Sequence, residues 1–287
     1  MATLRDIRRR IDSVKNTQII TRAMQMVAAA KLRRAQENAL MNRPYSERMM
    51  EVLRSLSLRT TEESHPLLER REIKNVRLVV VSAERGLCGA FNNNVLTRAE
   101  WIVREGNEKN LNTSLVLVGI KAKDYFKRRK YTPYKKYIDV LNKVEFSLAS
   151  EIGKDIVNSY KKREIDEVRV VYTRFVSMIK QEVNVETLLP IQPMEEKEEE
   201  SIIEYIYEPD EQRILEEILP RYIKVQIYKA MLESVASEQA ARMTAMEAAT
   251  KNAGELIESL TLSYNKARQA SITKEMLDIV GGSEALR

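Results

Sequence analysis

The sequence predicts an α/β fold combined with a coiled coil: long antiparallel N- and C-terminal helices with a small, central, Rossmann-like α/β domain. Three observations support this fold class. Small or apolar residues recur every 3.5 residues on average from Val225 to Ala267, which is the repeat of a coiled coil. A seam of similar spacing lies at the N-terminus. Between the two seams, short apolar runs alternate with helical segments, which is typical of an α/β domain.

The first predicted element is a helix over residues 4–56. Its seam begins with apolar residues spaced three or four apart, at Leu4, Ile7, Ile11 and Val14. We expect this seam to break near Gln18. It should then resume at Ile20, Met24 and Val27, and later at Tyr45, Met49, Val52 and Leu56. Pro44 predicts a kink within the helix, because a proline removes one backbone hydrogen bond.

The middle of the chain changes from helical spacing to short apolar runs. These predict strands at residues 76–82, 114–118, 131–137, 167–172 and 182–189, the last as an edge or antiparallel strand. Predicted helices cover residues 94–105, 120–130 and 147–162. Strands and helices that alternate in this way predict a mostly parallel sheet. We therefore divide the chain into a first long helix, 1–58, an α/β domain, 72–194, and a last long helix, 208–287.

The last predicted element is one helix over residues 210–280. Pro209 and Asp210 mark its start, since proline suits the first turn and an acid suits the positive helix end. Both terminal helices are rich in alanine, which lets helix axes approach closely. We expect them to pair antiparallel and left-handed. Because the C-terminal helix is longer, its end should extend past the N-terminus and form the tip.

Composition and charge narrow the possible functions. Residues 1–34 contain nine basic and two acidic residues, a net charge of +7 against +6 for the whole chain. This charge fits an acidic protein surface or, as an alternative function, a basic coiled-coil protein that binds nucleic acid. The basic face lacks the interleaved aromatic residues that nucleic-acid binders use. No run approaches the ~18 apolar residues of a membrane span, so we expect no direct membrane insertion.

One loop carries a pattern that could indicate an enzyme. Residues 82–92 follow the first predicted strand and include Gly86 and Gly89, where dinucleotide-binding folds hold phosphate. The full G-x-G-x-x-G pattern is missing, and one cysteine, Cys88, and one histidine, His65, cannot build a Cys/His metal cluster. We expect no catalytic residue, no metal and no cofactor. A nucleotide-dependent α/β enzyme remains the weaker rival function.

Three blocks of sequence resemble the gamma subunit of F-type ATP synthases, from one end of the chain to the other. The first is Ile7-Arg8-Arg9-Arg10-Ile11 with Ile20-Thr21-Arg22-Ala23-Met24-Gln25-Met26. The second is Glu84-Arg85-Gly86-Leu87-Cys88-Gly89-Ala90-Phe91-Asn92. The third includes Ser237-Glu238-Gln239-Ala240, Asn265-Lys266-Ala267-Arg268-Gln269 and Ile272-Thr273-Lys274-Glu275-Met276. Glu84, Asn93 and Ser283 depart mildly from the usual residues of this family.

The resemblance implies a non-catalytic subunit that acts as the central rotor shaft of a proton-translocating ATP synthase. The implied partners are the ring of alpha and beta subunits, the epsilon subunit and the membrane c ring. The expected location is the cytoplasmic face of the cell membrane, as a peripheral protein. The implied contacts with the beta subunit are Arg268, Gln269, Thr273, Glu275, Met24, Arg8, Arg9 and Cys88. The implied contacts with the c ring or epsilon subunit are Tyr205, Tyr207 and Glu208.

Overall fold

The computed structural model describes residues 3–57, 64–192 and 211–285. The chain divides into two compact units, one of residues 1–28 with 242–287 and the other of residues 29–241. The first helix, α1, covers Leu4–Ser57, and the last, α5, covers Glu211–Ala285. Both agree closely with the two predicted long helices. Within the described residues, no helix is long and apolar enough to cross a membrane.

The second unit contains a five-stranded sheet. Its strands are β1 (Asn75–Val81), β2 (Asn112–Val118), β3 (Lys135–Tyr137), β4 (Glu167–Phe175) and β5 (Gln181–Leu189). They lie in the order β3-β2-β1-β4-β5. Strands β1 to β4 pair in parallel, and β5 pairs antiparallel with β4 at the edge. The predicted mixed sheet with an antiparallel edge strand is confirmed.

Helices cover both faces of this sheet. They are α2 (Phe91–Glu108), α3 (Ile120–Arg128) and α4 (Phe146–Lys161). Side chains of β1 alternate between the two faces, because successive residues of a strand point in opposite directions. Leu78 and Val80 pack in one core with residues of α2 and α3. Val79 and Val81 pack in the other with residues of α4 and α5. This burial on both faces explains why β1 reads as a continuous apolar run.

The segment that enters the sheet domain is packed rather than extended in solvent. Leu67 is fully buried in the same core as α4, and its carbonyl accepts a hydrogen bond from Ile191 N. His65 is buried as well, and its Nδ1 accepts a hydrogen bond from Leu67 N at 3.2 Å. The histidine therefore holds a turn, and its environment is that of a structural residue.

In the first unit, the seam of α1 continues where the sequence predicted a break. Gln18 is half-buried and Thr21 is buried. Gln18 Nε2 donates to Thr250 O at 3.4 Å, and the hydroxyls of Thr21 and Thr250 lie 2.8 Å apart. The predicted seam positions Ile20 and Val27 are wrong, since they are 59% and 56% exposed. The polar side chains lie inside because they find partners across the seam, and the apolar ones lie outside.

In the second unit, the two long helices meet through small residues. Leu32 and Ala35 of α1 pack against Ala236 and Ala240 of α5. Further along, Met49 and Leu53 join the sheet core together with Leu219 of α5. As the residue number rises in α1 it falls in α5, so the predicted antiparallel pairing is found here. Helix α1 runs through Pro44. The side chains of Tyr45 and Leu56 are outside the described set.

Candidate functional site

The outer faces of the helices in the first unit carry large apolar side chains. On α1 they are Ile19, Ile20, Met26 and Val27, and on α5 they are Leu262, Ile272, Met276, Leu277, Ile279 and Val280. Apolar side chains that share an exposed helix face indicate a surface that another protein covers. Sequence reasoning missed this surface on α1, because it assigned Ile20 and Val27 to the contact with α5. Gln18 and Thr21 lie seven residues after the seam positions Ile11 and Val14, and this spacing was the signal that could have revealed it.

Arg268 and Gln269 lie in the C-terminal part of α5, within the first unit. Both are exposed, and neither side chain bonds to another described residue. Among the described residues, the last half-buried positions of α5 are Tyr264, Ala267 and Ser271. The two polar residues therefore lie on an exposed face of α5, and their role at a tip stays a prediction.

The other two predicted residues at this tip are engaged within the helix. Thr273 Oγ1 donates to Gln269 O at 3.0 Å, and Ser271 Oγ donates to Glu275 Oε1 at 3.4 Å. Glu275 therefore pairs with Ser271 and leaves Arg268 free of it. Both bonds are local and exposed, and bonds of this kind exchange easily with water or with a partner.

The N-terminus of α1 is capped, and the basic residues that follow point to solvent. Thr3 N donates to Asp6 Oδ2 at 3.1 Å, and Asp6 N donates to Thr3 Oγ1 at 3.3 Å, which forms a capping box. The hydrogen bonds from Thr3 lower the pKa of Asp6. Arg8 and Arg9 are exposed, without an ion pair among the described residues. Met24 is half-buried at the flank of the seam.

In the second unit, the loop after β1 is held by its own side chains. Asn92 Oδ1 accepts a bond from Ala83 N at 3.0 Å, and Asn92 Nδ2 donates to Cys88 Sγ at 3.1 Å. The Cys88 side chain is buried against Ala83, Phe91 and Ala241. A partner that reaches this loop would therefore contact its exposed neighbours, Arg85 and Leu87, rather than the thiol.

The buried carboxylate of Glu84 connects this loop to the start of α3 and to the segment that follows β3. Glu84 Oε2 accepts a hydrogen bond from Ile120 N at 2.9 Å, at the start of α3. Glu84 Oε1 accepts from Val140 N at 3.0 Å and from Leu141 N at 3.3 Å. The chain's own carboxylate thus occupies the positive end of α3. Its negative charge disfavours a phosphate at this edge and argues against the nucleotide-dependent enzyme.

Some predicted sites lie outside what the structure describes. Tyr205, Tyr207 and Glu208 fall within residues 193–210, which are not among the described residues. In the described parts of the chain, no group of three or more His, Cys, Asp or Glu residues could hold a metal ion.

Comparisons with known proteins agree with the fold and cover the whole chain. The family described as ATP synthase matches residues 3–286. The chain is 48% identical to an ATP synthase gamma chain of Desulforamulus reducens over 286 residues, covering 100% of both chains. It is 46% identical to that of Trichlorobacter lovleyi, again over 100% of both.

Solved structures show the same fold at lower identity. A chain of the Euglena gracilis mitochondrial ATP synthase (OSCP/F1/c-ring) has a TM-score of 0.70 at 21% identity, covering 99% of this chain and 94% of that one. A chain of the Tetrahymena thermophila mitochondrial ATP synthase (central stalk and c-ring) has a TM-score of 0.60 at 24% identity, covering 80% and 99%. Full-length identity of nearly one half to bacterial gamma chains decides the assignment: this chain belongs to the ATP synthase gamma chain family.

Proposed function

We propose that the chain transmits rotation as the central shaft of a proton-translocating F-type ATP synthase. Family membership over the full chain supports the shaft role and its non-catalytic character. The observation that carries the mechanism is the exposed apolar surface of the first unit, which needs a surrounding partner. The ring of alpha and beta subunits is that partner in our proposal.

We assign one role to each part of the chain. Residues 1–58 and 208–287 form the shaft, and residues 72–194 form the foot, beside the epsilon subunit and the c ring. Tyr205, Tyr207 and Glu208 would contact the c ring or the epsilon subunit. Cysteines introduced there should crosslink to the c ring or epsilon subunit, and crosslinks only to alpha or beta would contradict the assignment. We place the complex at the cytoplasmic face of the cell membrane, where this chain is peripheral.

The shaft would act on the beta subunits because its faces differ. One outer face carries Ile20 and Val27, while Arg8 and Arg9 give another region positive charge. A partner with two conformations responds to whichever face it meets, by the difference in its affinity for the two. The basic residues, with the loop around Cys88, would face an acidic segment of the beta subunit. We favour this segment over nucleic acid, because family membership supplies such a partner.

Met24 provides a test of that contact. It lies at the flank of the seam, half-buried, on the same helix as the basic residues. A lysine there would add a charge beside the acidic segment and would favour one rotational position over the others. Met24→Lys should therefore slow or uncouple ATP-driven proton pumping while the complex still assembles. Unchanged pumping would make Met24 a packing residue only.

Arg268 and Gln269 would form a contact that is made and broken at each step of rotation. The guanidinium offers a planar set of donors, and the amide offers both a donor and an acceptor. Hydrogen bonds to charged groups contribute about 1.5–3 kcal/mol each, which is small enough for rotation to break. Both side chains are exposed on α5, and no other described residue bonds to them, so they are available to a partner.

The test is an assembled complex with both residues replaced by alanine. Arg268→Ala/Gln269→Ala should lower ATP synthesis and multisite hydrolysis more than it lowers assembly or helix content. A matched control replaces an exposed pair of the same residue types near the start of α5, Gln212→Ala/Arg213→Ala. Wild-type rates in the first variant, or an equal loss in the control, would exclude these two residues as the contact.

A further inference from the structure

The most basic part of the sheet domain is the segment that contains α3 and β3. Residues 120–137 include eight basic residues and a single acidic one, Asp124, a net charge of +7. The whole chain has a net charge of only +6. The proposed contacts with the beta subunit, the c ring and the epsilon subunit use none of these residues.

Two of these basic side chains have structural partners. Arg129 Nε lies 2.9 Å from Glu100 Oε2, and its guanidinium covers the ring of Tyr125. Lys135 Nζ lies 2.6 Å from Asp155 Oδ1. Their charges are therefore used within the fold.

Three neighbouring side chains are different. Lys127, Arg128 and Lys130 are exposed, and none forms an ion pair with a described residue. Arg128 Nε donates only to a backbone oxygen of its own helix, Asp124 O, at 3.2 Å. We call these three residues the basic cluster. The negative end of the α3 dipole favours Lys127 and Arg128 there, but it leaves their charges open to solvent.

The topology places the basic cluster at one edge of the sheet. Helix α3 follows β2 and returns antiparallel to it, so α3 ends near the edge where the parallel strands begin. The loop of Gly86 and Gly89 lies at the opposite edge, where β1 ends. The basic cluster is therefore separated from the loop that we assign to the beta subunit.

Three other basic side chains at the same edge form ion pairs. Lys74 pairs with Glu72 at 2.8 Å, Lys109 with Glu105 at 2.6 Å, and Arg163 with Glu69 at 3.0 Å. The basic cluster differs from these three side chains, because none of its members forms an ion pair with a described residue.

We propose that the basic cluster binds the anionic lipid headgroups of the membrane surface beside the c ring. This inference rests on the proposed function, which places the sheet domain at the foot of the shaft. A short polybasic group attracts anionic lipids without a shaped pocket. Such an attraction is diffuse and has no fixed partner atoms, so the foot could slide over the membrane as it rotates.

The test compares vesicle binding by two triple variants. The first is Lys127→Gln/Arg128→Gln/Lys130→Gln. The second is a matched control at the same edge, Lys74→Gln/Lys109→Gln/Arg163→Gln, which removes the same charge. Each protein is prepared as the full chain and as a complex with alpha and beta subunits. Both are sedimented with vesicles of phosphatidylcholine, with or without about one-third phosphatidylglycerol.

We expect the wild type to bind the anionic vesicles and to be released by salt, since screening weakens exposed charges. Each basic residue near an anionic surface contributes about fivefold in affinity, so the first variant should bind roughly 100-fold more weakly. The control should lose much less, because its charges are already paired. An equal loss in both variants would reduce the effect to net charge and overturn the proposal, as would unchanged binding by the first variant.

A protein partner would give a different result. If the first variant binds vesicles normally but no longer retains the epsilon subunit, the basic cluster is a protein contact and the lipid proposal is wrong. Retention of alpha and beta subunits is measured separately on the wild type. Failure of that retention would contradict the shaft proposal, and the vesicle measurement on the full chain would still decide the lipid proposal.

Discussion

The substitution Glu84→Gln should destabilise the sheet domain more than any other carboxylate-to-amide change at the end of the sheet where β1 ends. The side chain is 7% exposed, and its two oxygens accept three backbone hydrogen bonds from Ile120, Val140 and Leu141. In Glu84→Gln one oxygen becomes an NH₂ group, which faces backbone N–H donors and cannot accept from them. Hydrogen bonds to a charged group contribute about 1.5–3 kcal/mol each. Because at least one is lost and the others weaken, we expect the free energy of unfolding to fall by about 3 kcal/mol.

Urea unfolding of the full chain, followed by circular dichroism, measures this loss. Glu108→Gln, at an exposed carboxylate on α2, is the control and should change stability by no more than about 0.5 kcal/mol. A second readout is trypsin cleavage after the exposed Arg85, which should be faster in Glu84→Gln because the loop loses its attachment to α3. A loss below about 1 kcal/mol with unchanged cleavage would refute the role of Glu84, since a single charged hydrogen bond already exceeds that value.

Three further predictions concern packing, the polar seam and a buried charge. Leu32→Ala should lower the free energy of unfolding by about 2–5 kcal/mol, because the side chain is 2% exposed, while Leu40→Ala at a 63% exposed position should leave the urea midpoint nearly unchanged. A double-mutant cycle of Thr21→Val and Thr250→Val should give a coupling energy of about 0.5–3 kcal/mol. Additive effects of the two substitutions would contradict a hydrogen bond between these hydroxyls. Burial raises the pKa of Glu233; the positive charge of Lys229 opposes this shift, and the negative charge of Glu186 adds to it. The Oε2 atom of Glu233 has no partner in the described chain. Below the unfolded pKa of about 4.3, the carboxyl group is protonated in both states and its contribution to stability is fully present. This contribution is lost as the pH rises through the folded pKa. The urea midpoint of the wild type should therefore decline between the two pKa values, whereas that of Glu233→Gln should not.

The sequence predicted the sheet well because its signal is local. Strand β1 was expected at residues 76–82 and lies at Asn75–Val81, since a strand buried on both faces reads as an unbroken apolar run. The role of Glu84 could not be predicted in this way. Its partners at residues 120, 140 and 141 are brought near only by the crossover that follows β2. Likewise, α3 read as a basic helix, but only the structure shows that Arg129 is paired and Lys130 is not.

The seam of α1 was predicted less well, and the reason is physical. Periodicity finds apolar residues, and it assumes that they face the nearest helix. That assumption agrees with the burial of Ile11, but it fails at Ile20 and Val27, where the apolar face is turned outward. In a chain that other subunits surround, both faces of a helix can be buried in the assembly, so the apolar pattern alone does not identify the seam.

The polar layer of the seam has a physical consequence for a shaft. Alanine-rich layers resemble one another, so a slip of one heptad between α1 and α5 would cost little in packing. The layer of Gln18, Thr21 and Thr250 differs from its neighbours, because its bonds form in one register only. Gly254 belongs to the same layer, since a Cβ there would lie 3.1 Å from Gln18 Nε2. A slipped pair would leave buried polar groups without partners, at about 1–3 kcal/mol each. Two helices that transmit torque must not slide along each other, and a polar layer within an alanine-rich seam meets that requirement without bulky side chains.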